Sequence, residues 1–447
     1  MRMVLASRRR LLRVLALGLS AACTPEIGTD PVPASMPFDP TAVPPRVPEP
    51  THVLVNPTTK RLDFAIAGIT VPADCAAPGP LPQAQCEFYQ YLQRLDGYPT
   101  VTPARTPAPG PIDAATLTAD NVVVVDATSG QVVREVTLGF DAAAGYLTIT
   151  PKTRWDVGHL YVIGVRGYAR GIKTGGREIV APVPYYLLKQ DSSLTCGATA
   201  PEAIADTCPP YALLASSMAP AAARATALQL EALRASYNQL HTTELLAMPG
   251  NIPRGELAMY WAFPTHSSPV AEVDPPTGAV PKLVDANTLS VTVNGALDPA
   301  KLVPTVAGKP GTVTLLDLTE VMAMNLAAGL PAFTASLQAP TLSLKTTAPL
   351  VPGHQYGLFL TNGITSPDGK PLVPSPVSFL LTARGALVKD GKSQVGGVSD
   401  ADAVMLESGR AALRELFDNA AIQVIIGLDR AKLAYVYAFA LPAGGSQ

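Results

Sequence analysis

Charged and aromatic residues are both scarce in this chain of 447 residues. Charged side chains make up 15% of it and aromatic ones 6%, with two tryptophans. Residues 1–22 hold five arginines and no acid, which leaves 28 basic against 35 acidic residues in the remainder. Such an acidic excess gives little attraction to the phosphates of nucleic acid or to an anionic membrane surface. We therefore predict no nucleic-acid partner.

The residue patterns of common catalytic sites are also missing. No Gly-x-Ser-x-Gly sequence occurs, so the nucleophile elbow of the α/β-hydrolases is absent. The stretch 385–393 has one residue too many between its glycines for a phosphate-binding loop, and we interpret it as an ordinary loop. Five histidines show no paired spacing for zinc: His52, His159, His241, His266 and His354. We predict no catalytic residue, no resident metal and no cofactor.

Acidic residues do not form a calcium-binding loop either. Asp400 and Asp402 lack the glycine and the ligand spacing of an EF-hand, and we expect them to cap the following helix together with Ser399. Calcium bound between domains stays open as an alternative, with Asp274 and Asp285 as the candidate ligands.

The N-terminus has the composition of an export signal. Residues 8–13 are rich in arginine, residues 14–19 are apolar, residues 20–22 are small, and Cys23 follows. The apolar stretch is too short to span a bilayer permanently. Because a cysteine follows the small residues, the segment resembles a bacterial lipoprotein signal peptide, which implies that residues 1–22 are removed and Cys23 is lipidated. The alternative is a plain secretory signal that is cleaved nearby.

The predicted lipid would attach the protein to a membrane through Cys23. Thr24 follows Cys23, and in the common Gram-negative sorting pattern a residue other than Asp there favours the outer membrane. We expect an outer-membrane lipoprotein, on the periplasmic face or at the cell surface.

Only four cysteines remain once Cys23 is excluded: Cys75, Cys86, Cys196 and Cys208. Export would place them where disulfides persist. Local pairing, 75 with 86 and 196 with 208, is the simplest of the three possible arrangements. A four-thiolate zinc site would need Cys-x-x-Cys pairs, which do not occur.

Beyond residue 50 the chain repeats itself. Residues 24–50 carry nine prolines, so we interpret residues 23–50 as a Pro-rich tether. The segments 147–161 and 342–356 match in spacing and share an identical Gly-His-x-Tyr turn. A second match joins Arg254–Phe263 to Arg430–Phe439. The chain is thus predicted to hold two copies of one unit, at about 51–269 and 270–447.

Each copy begins with β-branched runs separated by turns, which predicts short antiparallel strands. The runs are 121–125, 131–138, 146–150 and 161–165 in the first copy, and 288–293, 312–316, 341–344 and 356–360 in the second. Each copy then changes to a helical period, at about 218–247 and 400–426, before one last apolar strand.

This pattern predicts a mostly β fold with helical insertions: two tandem Ig-like antiparallel β-sandwiches, each with an amphipathic helix before its last strand. We expect each apolar helix stripe to pack on its own sandwich, with a partner-binding groove as the alternative. The predicted stripes include Leu230, Leu233, Tyr237 and Leu240, then Leu406, Leu413, Leu416, Phe417 and Val424.

The second copy resembles the bacterial Ig-like domain of the SbsA type (Big_5). Residues 349–356 read Pro-Leu-Val-Pro-Gly-His-Gln-Tyr, and residues 366–369 read Ser-Pro-Asp-Gly, as in that family. The first copy departs from the pattern, with Trp155 in place of Leu and no Asp in its 171–176 loop.

The first copy also resembles the N-terminal β region of the bacterial virulence-factor lipases. Residues 95–98 read Leu-Asp-Gly-Tyr, and residues 112–117 carry an Ile-Asp-x-x-Thr element. In those lipases an α/β-hydrolase domain follows the β region, whereas this sequence ends at Gln447.

We therefore expect a non-catalytic, lipid-anchored binding or scaffold protein of the bacterial envelope, whose partner is an unidentified envelope protein or polysaccharide. The alternative function is an accessory module of extracellular lipase or esterase action. Five aromatic residues could form a carbohydrate-stacking platform, although we favour core packing for Trp261: Trp155, Trp261, Tyr185, Tyr186 and Tyr260.

Overall fold

The structure is a computed structural model that describes residues 31–39, 46–216, 218–242, 252–272, 282–419 and 427–442. The predicted signal peptide, the lipidation site Cys23, the linker acid Asp274 and the helix residue Val424 lie outside these ranges. In the part described, no helix is both long and apolar enough to cross a membrane.

The fold is mostly β, with several sheets and some helices. The described part of the first half holds ten strands, β1 to β10: Ala34–Ser35, Ala104–Pro107, Val122–Asp126, Gln131–Val132, Val136–Asp141, Tyr146–Pro151, Leu160–Arg166, Lys173–Thr174, Arg177–Val180 and Leu257–Pro264. They form three sheets, with strand orders β10-β7-β3-β4, β2-β6-β5 and β1-β9-β8. All pairs are antiparallel except β1 with β9.

The described second half holds β11 to β20: Val270–Glu272, Lys282–Asp285, Thr288–Asn294, Val313–Asp317, Phe333–Gln338, Thr341–Thr346, Gln355–Thr361, Val388–Lys389, Lys392–Ser393 and Leu433–Ala440. The main sheets have the orders β11-β13-β16-β15 and β14-β17-β20, and β12 also pairs with β13. The strand triplets β3-β7-β10 and β14-β17-β20 thus correspond in order and in chain position.

Alternate residues of the strands β14 and β17 enter two different cores. Leu315 and Leu358 pack with Leu342 of the neighbouring sheet. Their chain neighbours Leu316 and Phe359 face the other way and form a separate core with the helical segment. Because side chains alternate along a strand, a sheet buried on both faces needs a continuous apolar sequence. This explains why these strands are apolar runs without polar alternation.

Seven helices, α1 to α7, accompany the described strands: Gln83–Leu92, Val183–Leu188, Pro209–Ala215, Pro220–Thr242, Leu318–Met322, Pro376–Thr382 and Asp400–Asp418. The long helices α4 and α7 are the predicted ones, and each precedes the last strand of its half. Helix α7 ends at Asp418, and residues 420–426 of the predicted helical stretch lie outside the described residues. Helices α1, α2, α3, α5 and α6 were not predicted from the sequence.

Each long helix packs on its own half. Leu413, Leu416 and Phe417 of α7 share a core with Phe359 of β17 and Val436 of β20. In the first half, the ring of Tyr237 on α4 lies 5.7 Å from that of Tyr260 on β10. The expectation for the described part of the two apolar stripes is therefore met.

The region predicted as a tether is partly folded onto the first half. Ala34 and Ser35 pair with Ile179 and Val180, and the side chain of Met36 is 1% exposed. Glu49 extends this contact through a bridge to Arg105 of β2. Apolar residues among the prolines give the segment enough buried surface to stay attached.

Helix α1 connects the two halves. Its Tyr91 ring stacks on Phe379 of α6 at 4.6 Å, and the Tyr91 hydroxyl donates to the carbonyl oxygen of Pro374. The carboxylate of Glu87 accepts a hydrogen bond from the backbone nitrogen of Arg384 at 2.8 Å. The disulfide partner Cys86 lies in the same helix.

Candidate functional site

The repeated Gly-His-x-Tyr turn forms the same polar cluster in both halves. Nδ1 of His159 lies 2.9 Å from a carboxylate oxygen of Asp126, and Nδ1 of His354 lies 2.8 Å from one of Asp317. The aspartates end the corresponding strands β3 and β14. This close repetition agrees with the structural role expected for the two histidines.

Hydroxyl groups complete the turn in the same way twice. The hydroxyl of Tyr161 accepts the backbone N–H of Asp156, and that of Tyr356 accepts the backbone N–H of Val351, each at 2.8 Å. Thr128 holds the backbone of the first turn, accepting the N–H of Leu160 at 3.0 Å. These groups fix a loop between strands, and their repetition identifies them as part of the fold.

The first turn also gathers three groups that could ligate a cation. Single ligand atoms of Asp126, Asp156 and His159 lie within 4.8 Å of one another. Burial opposes ionisation of Asp126, but hydrogen bonds from Ser129, His159 and the Thr128 backbone lower the pKa of its carboxyl group below the ordinary value. The second turn has Val351 where the first has Asp156. The His–Asp pair therefore recurs in both turns, whereas the third candidate ligand does not.

Both long helices carry a Glu-x-x-Arg ion pair that clamps the loop after a short helix, α2 in the first half and α6 in the second. Glu231 and Arg234 are joined at 2.6 Å in α4, and Glu407 and Arg410 at 2.6 Å in α7. Hydrogen bonds from the Arg410 guanidinium are the main reason why the pKa of Glu407 is lowered. Sequence reasoning missed this pair, although Glu231 and Glu407 stand at the same distance before the aligned Arg254 and Arg430.

The carboxylate in each clamp accepts a backbone N–H from the loop. Glu231 accepts from Leu194 at 2.7 Å, and Glu407 accepts from Leu387 at 2.8 Å. Leu194 and Leu387 therefore occupy equivalent places in the two loops.

The four remaining cysteines lie in two close pairs, Cys75 with Cys86 and Cys196 with Cys208. The Cα atoms of Cys75 and Cys86 lie 5.5 Å apart, and those of Cys196 and Cys208 lie 6.0 Å apart, with the sulfur atoms at bonding distance. Each pair closes a short loop beside a helix, α1 in one case and α3 in the other.

Four of the five candidate platform aromatics are core residues. Trp155, Trp261, Tyr185 and Tyr260 are each at most 1% exposed, whereas Tyr186 is 45% exposed. The preference for core packing of Trp261 is confirmed, and these rings do not form a joint surface for a sugar.

The other sequence candidates have local roles. Ser399 accepts the backbone N–H of Asp402 at 3.1 Å, which confirms the predicted cap. The ammonium group of Lys392 lies 2.8 Å from Asp400, and the 385–393 loop contains the two paired strands β18 and β19. Asp285 is exposed and accepts hydrogen bonds from its neighbours Asn287 and Thr288.

A cavity of about 600 Å³ lies beside the second clamp, where α1 of the first half approaches α7. Three arginines line it, Arg384, Arg414 and Arg430, together with the ring of Phe417. The pKa of Arg430 is lowered, mainly by burial and next by the charge of Arg384. No sequence motif marks this site, because its arginines come from three separate segments.

The chain matches no family model, and no curated protein is similar to it. Among solved structures it is similar to the N-terminal part of the bacterial S-layer protein SbsC, with 14% sequence identity and a TM-score of 0.17. The similarity covers 36% of this chain and 32% of that one, so it spans about a third of the S-layer structure.

Proposed function

We propose that this protein is an exported, lipid-anchored, non-catalytic binding or scaffold protein of the bacterial envelope. The observation that carries the proposal is the export-type segment ending at Cys23. The two cysteine pairs at bonding distance support it, because disulfides persist in exported proteins and are rare in the cytosol. The membrane is then a partner through the lipid.

The proposed architecture is two tandem Ig-like sandwiches related to the SbsA type. Its support is the repeated geometry: each half has a sheet in which three strands follow a corresponding order, β3-β7-β10 or β14-β17-β20, and packs it against a second antiparallel sheet. The equivalent His–Asp turns and Glu–Arg clamps add to this support. The proposed units are 51–269 and 270–447, with residues 31–39 attached to the first.

The non-catalytic assignment rests on what the conspicuous polar groups do. The clusters around His159 and His354 bind backbone and neighbouring side chains in the same way in both copies. In the segment that resembles lipase N-terminal regions, the Tyr98 hydroxyl donates to the carbonyl oxygen of Thr51 at 3.0 Å. A Cβ at Gly97 would collide with the backbone of Thr265. The residues that carry the resemblance to lipases thus serve packing. Because they give no direct support to a role in lipase action, the lipase-accessory function is the second candidate.

Metabolic labelling tests the anchor. Radiolabelled palmitate should enter the wild-type chain expressed in a Gram-negative host and should not enter Cys23→Ala. Cys75→Ala is the matched control, because it removes a thiol that we assign to a disulfide, and it should still be labelled. Equal labelling of wild type and Cys23→Ala would contradict the lipoprotein assignment.

An ester assay and a capture experiment separate the two candidates. The purified chain should hydrolyse p-nitrophenyl esters no faster than albumin. Turnover that an active-serine reagent abolishes would overturn the non-catalytic proposal. The intact protein can be captured from its own envelope. A secreted hydrolase that is recovered together with it would favour the accessory function over a general scaffold.

A further inference from the structure

The two copies differ in the residues that surround the arginine of the Glu–Arg clamp. In the first clamp, Arg234 donates to the carbonyl oxygen of Asp191 at 3.0 Å. In the second, Arg410 donates to the carbonyl oxygen of Arg384 at 3.4 Å. Asp191 and Arg384 therefore occupy the same place, and an acid in the first copy is an arginine in the second.

The exchange changes what surrounds the arginine before the last strand. In the first copy, Arg254 donates to the carboxylate of Asp191 and to the side-chain oxygen of Asn238. In the second copy the corresponding Arg430 is close to Arg384. The place of Asn238, four residues after the clamp arginine, is held by Arg414. A neutral hydrogen-bonded group has thus become a group of three cations.

The carboxylates of the pocket do not balance these cations. Asp418 is 3.1 Å from Arg414, and Asp429 is 3.5 Å from Lys432. Arg430 donates to the backbone carbonyl oxygens of Thr382 and Ala383 instead of to an acid. Glu87 is occupied by the backbone nitrogen of Arg384, whose guanidinium has no carboxylate partner among the described residues.

Two guanidinium groups beside one cavity are suited to an oxyanion. Arginine presents its N–H donors in a planar fork that matches carboxylate and phosphate oxygens. The cavity of about 600 Å³ has room for a small organic molecule, and Phe417 and Leu428 supply an apolar part of its wall. Without an anion between them, the guanidinium groups of Arg384 and Arg430 would repel each other.

We propose that this pocket binds a small organic oxyanion, with its carboxylate or phosphate group between Arg384 and Arg430 and its apolar body toward Phe417 and Leu428. The first copy lacks the site because Asp191 occupies the anion's place. The proposal concerns the pocket alone and does not depend on the lipid anchor.

Calorimetric titration of the full chain in detergent tests this site. Phenyl phosphate and benzoate, titrated at constant ionic strength, should each bind once per chain, and neutral phenol should not bind. Arg384→Asp should weaken both anions by about tenfold or more, because it restores the charge pattern of the first copy. Arg384 is exposed, so the substitution leaves the core unchanged.

Arg177→Asp is the matched control, since it makes the same charge change at an exposed position in the first half. It should bind both anions like the wild type. Arg384→Gln is a second variant and should also weaken binding. An absence of binding to the wild type, equal affinity in Arg384→Asp, or equal weakening by Arg177→Asp would overturn the proposal.

Discussion

The buried imidazole of His266 makes the stability of the first half depend on pH. The side chain of His266 is 1% exposed, and its Nδ1 atom has no hydrogen-bond partner in the described part of the chain. Burial lowers the pKa of His266 to about 4, and the charge of Asp96 only partly opposes this effect. The unfolded chain, with a pKa near 6.5 for this group, therefore binds a proton at a pH at which the folded chain does not.

We predict that His266 makes the protein less stable in acid. Between pH 6.5 and pH 4 the unfolded state binds more protons, so the free energy of unfolding falls as the pH falls. The loss from this group should reach about 3 kcal/mol at pH 4. Urea unfolding of wild type and His266→Gln at both pH values measures it. The variant should lose less stability on acidification, and identical losses would contradict the prediction.

The cysteine pairs give a second prediction at this scale. Non-reducing peptide mass spectrometry should find Cys75 linked to Cys86 and Cys196 linked to Cys208, because each pair is local and at bonding distance. Four free thiols, or a link between Cys86 and Cys196, would refute this pairing.

The roles of single residues could be predicted where the sequence repeats them, and could not be predicted where no repeat marks them. The identical turns marked His159 and His354, but their partners Asp126 and Asp317 end strands that are distant in the chain, and the Asp-x-Thr pattern they share is too short to identify them. The capping role of Ser399 was predictable because a cap is local. The role of Arg384 was not predictable, because its equivalence to Asp191 is visible only in the folded loops.

At the scale of elements, the insertion helix is held to its half by the Glu–Arg clamp as well as by its apolar stripe. The Arg410 side chain is 5% exposed, and Glu407 is its carboxylate partner. Removing one member of a buried ion pair leaves the other charge without compensation, which costs far more than the loss of an exposed pair.

We predict that Glu407→Leu lowers the free energy of unfolding by about 3 kcal/mol. Glu415→Leu is the matched control, because Glu415 is an exposed residue of the same helix, and it should change stability by less than about 0.5 kcal/mol. Urea denaturation gives both values. Equal effects of the two substitutions would show that the clamp contributes nothing specific.

Strands and long helices were predictable because their apolar periods are long, as in Thr288–Asn294 and Asp400–Asp418. The strand Phe333–Gln338 escaped notice because its sequence is mixed, with Ala335 and Ser336 at its centre. Helix α1 has a cap without a side-chain hydrogen bond and was equally hard to recognise.

At the scale of the whole molecule, the chain passes from one set of sheets to the other within a few residues. Pro264 still pairs with Leu160, whereas Val270 already pairs with Asn294. Contacts of α1 nevertheless join the halves, with Ala84 packed against Leu380 of α6. The sequence repeat predicts two units, but it contains no information about this contact, because α1 has no counterpart among the described residues of the second half.

We predict that fragments 31–269 and 270–447 each unfold cooperatively and bind each other when mixed. The first fragment starts at residue 31 because Met36 and Phe38 are buried in its core. Tyr91→Ala should weaken the association by about tenfold, since it removes a stacked ring and a hydrogen bond. Separate and mixed thermal melts decide this, and a half that is soluble only in the mixture would show one intertwined domain.

The pairing of Ala34 and Ser35 with β9 limits the height of the protein above a bilayer. If Cys23 is the lipidated residue, only residues 24–33 separate the lipid from the first paired strand. Ten extended residues span at most about 35 Å, far less than the whole segment up to residue 50 would allow. The first half would then stay close to the lipid headgroups. Any ligand or partner of the second half would therefore have to be present near the membrane surface.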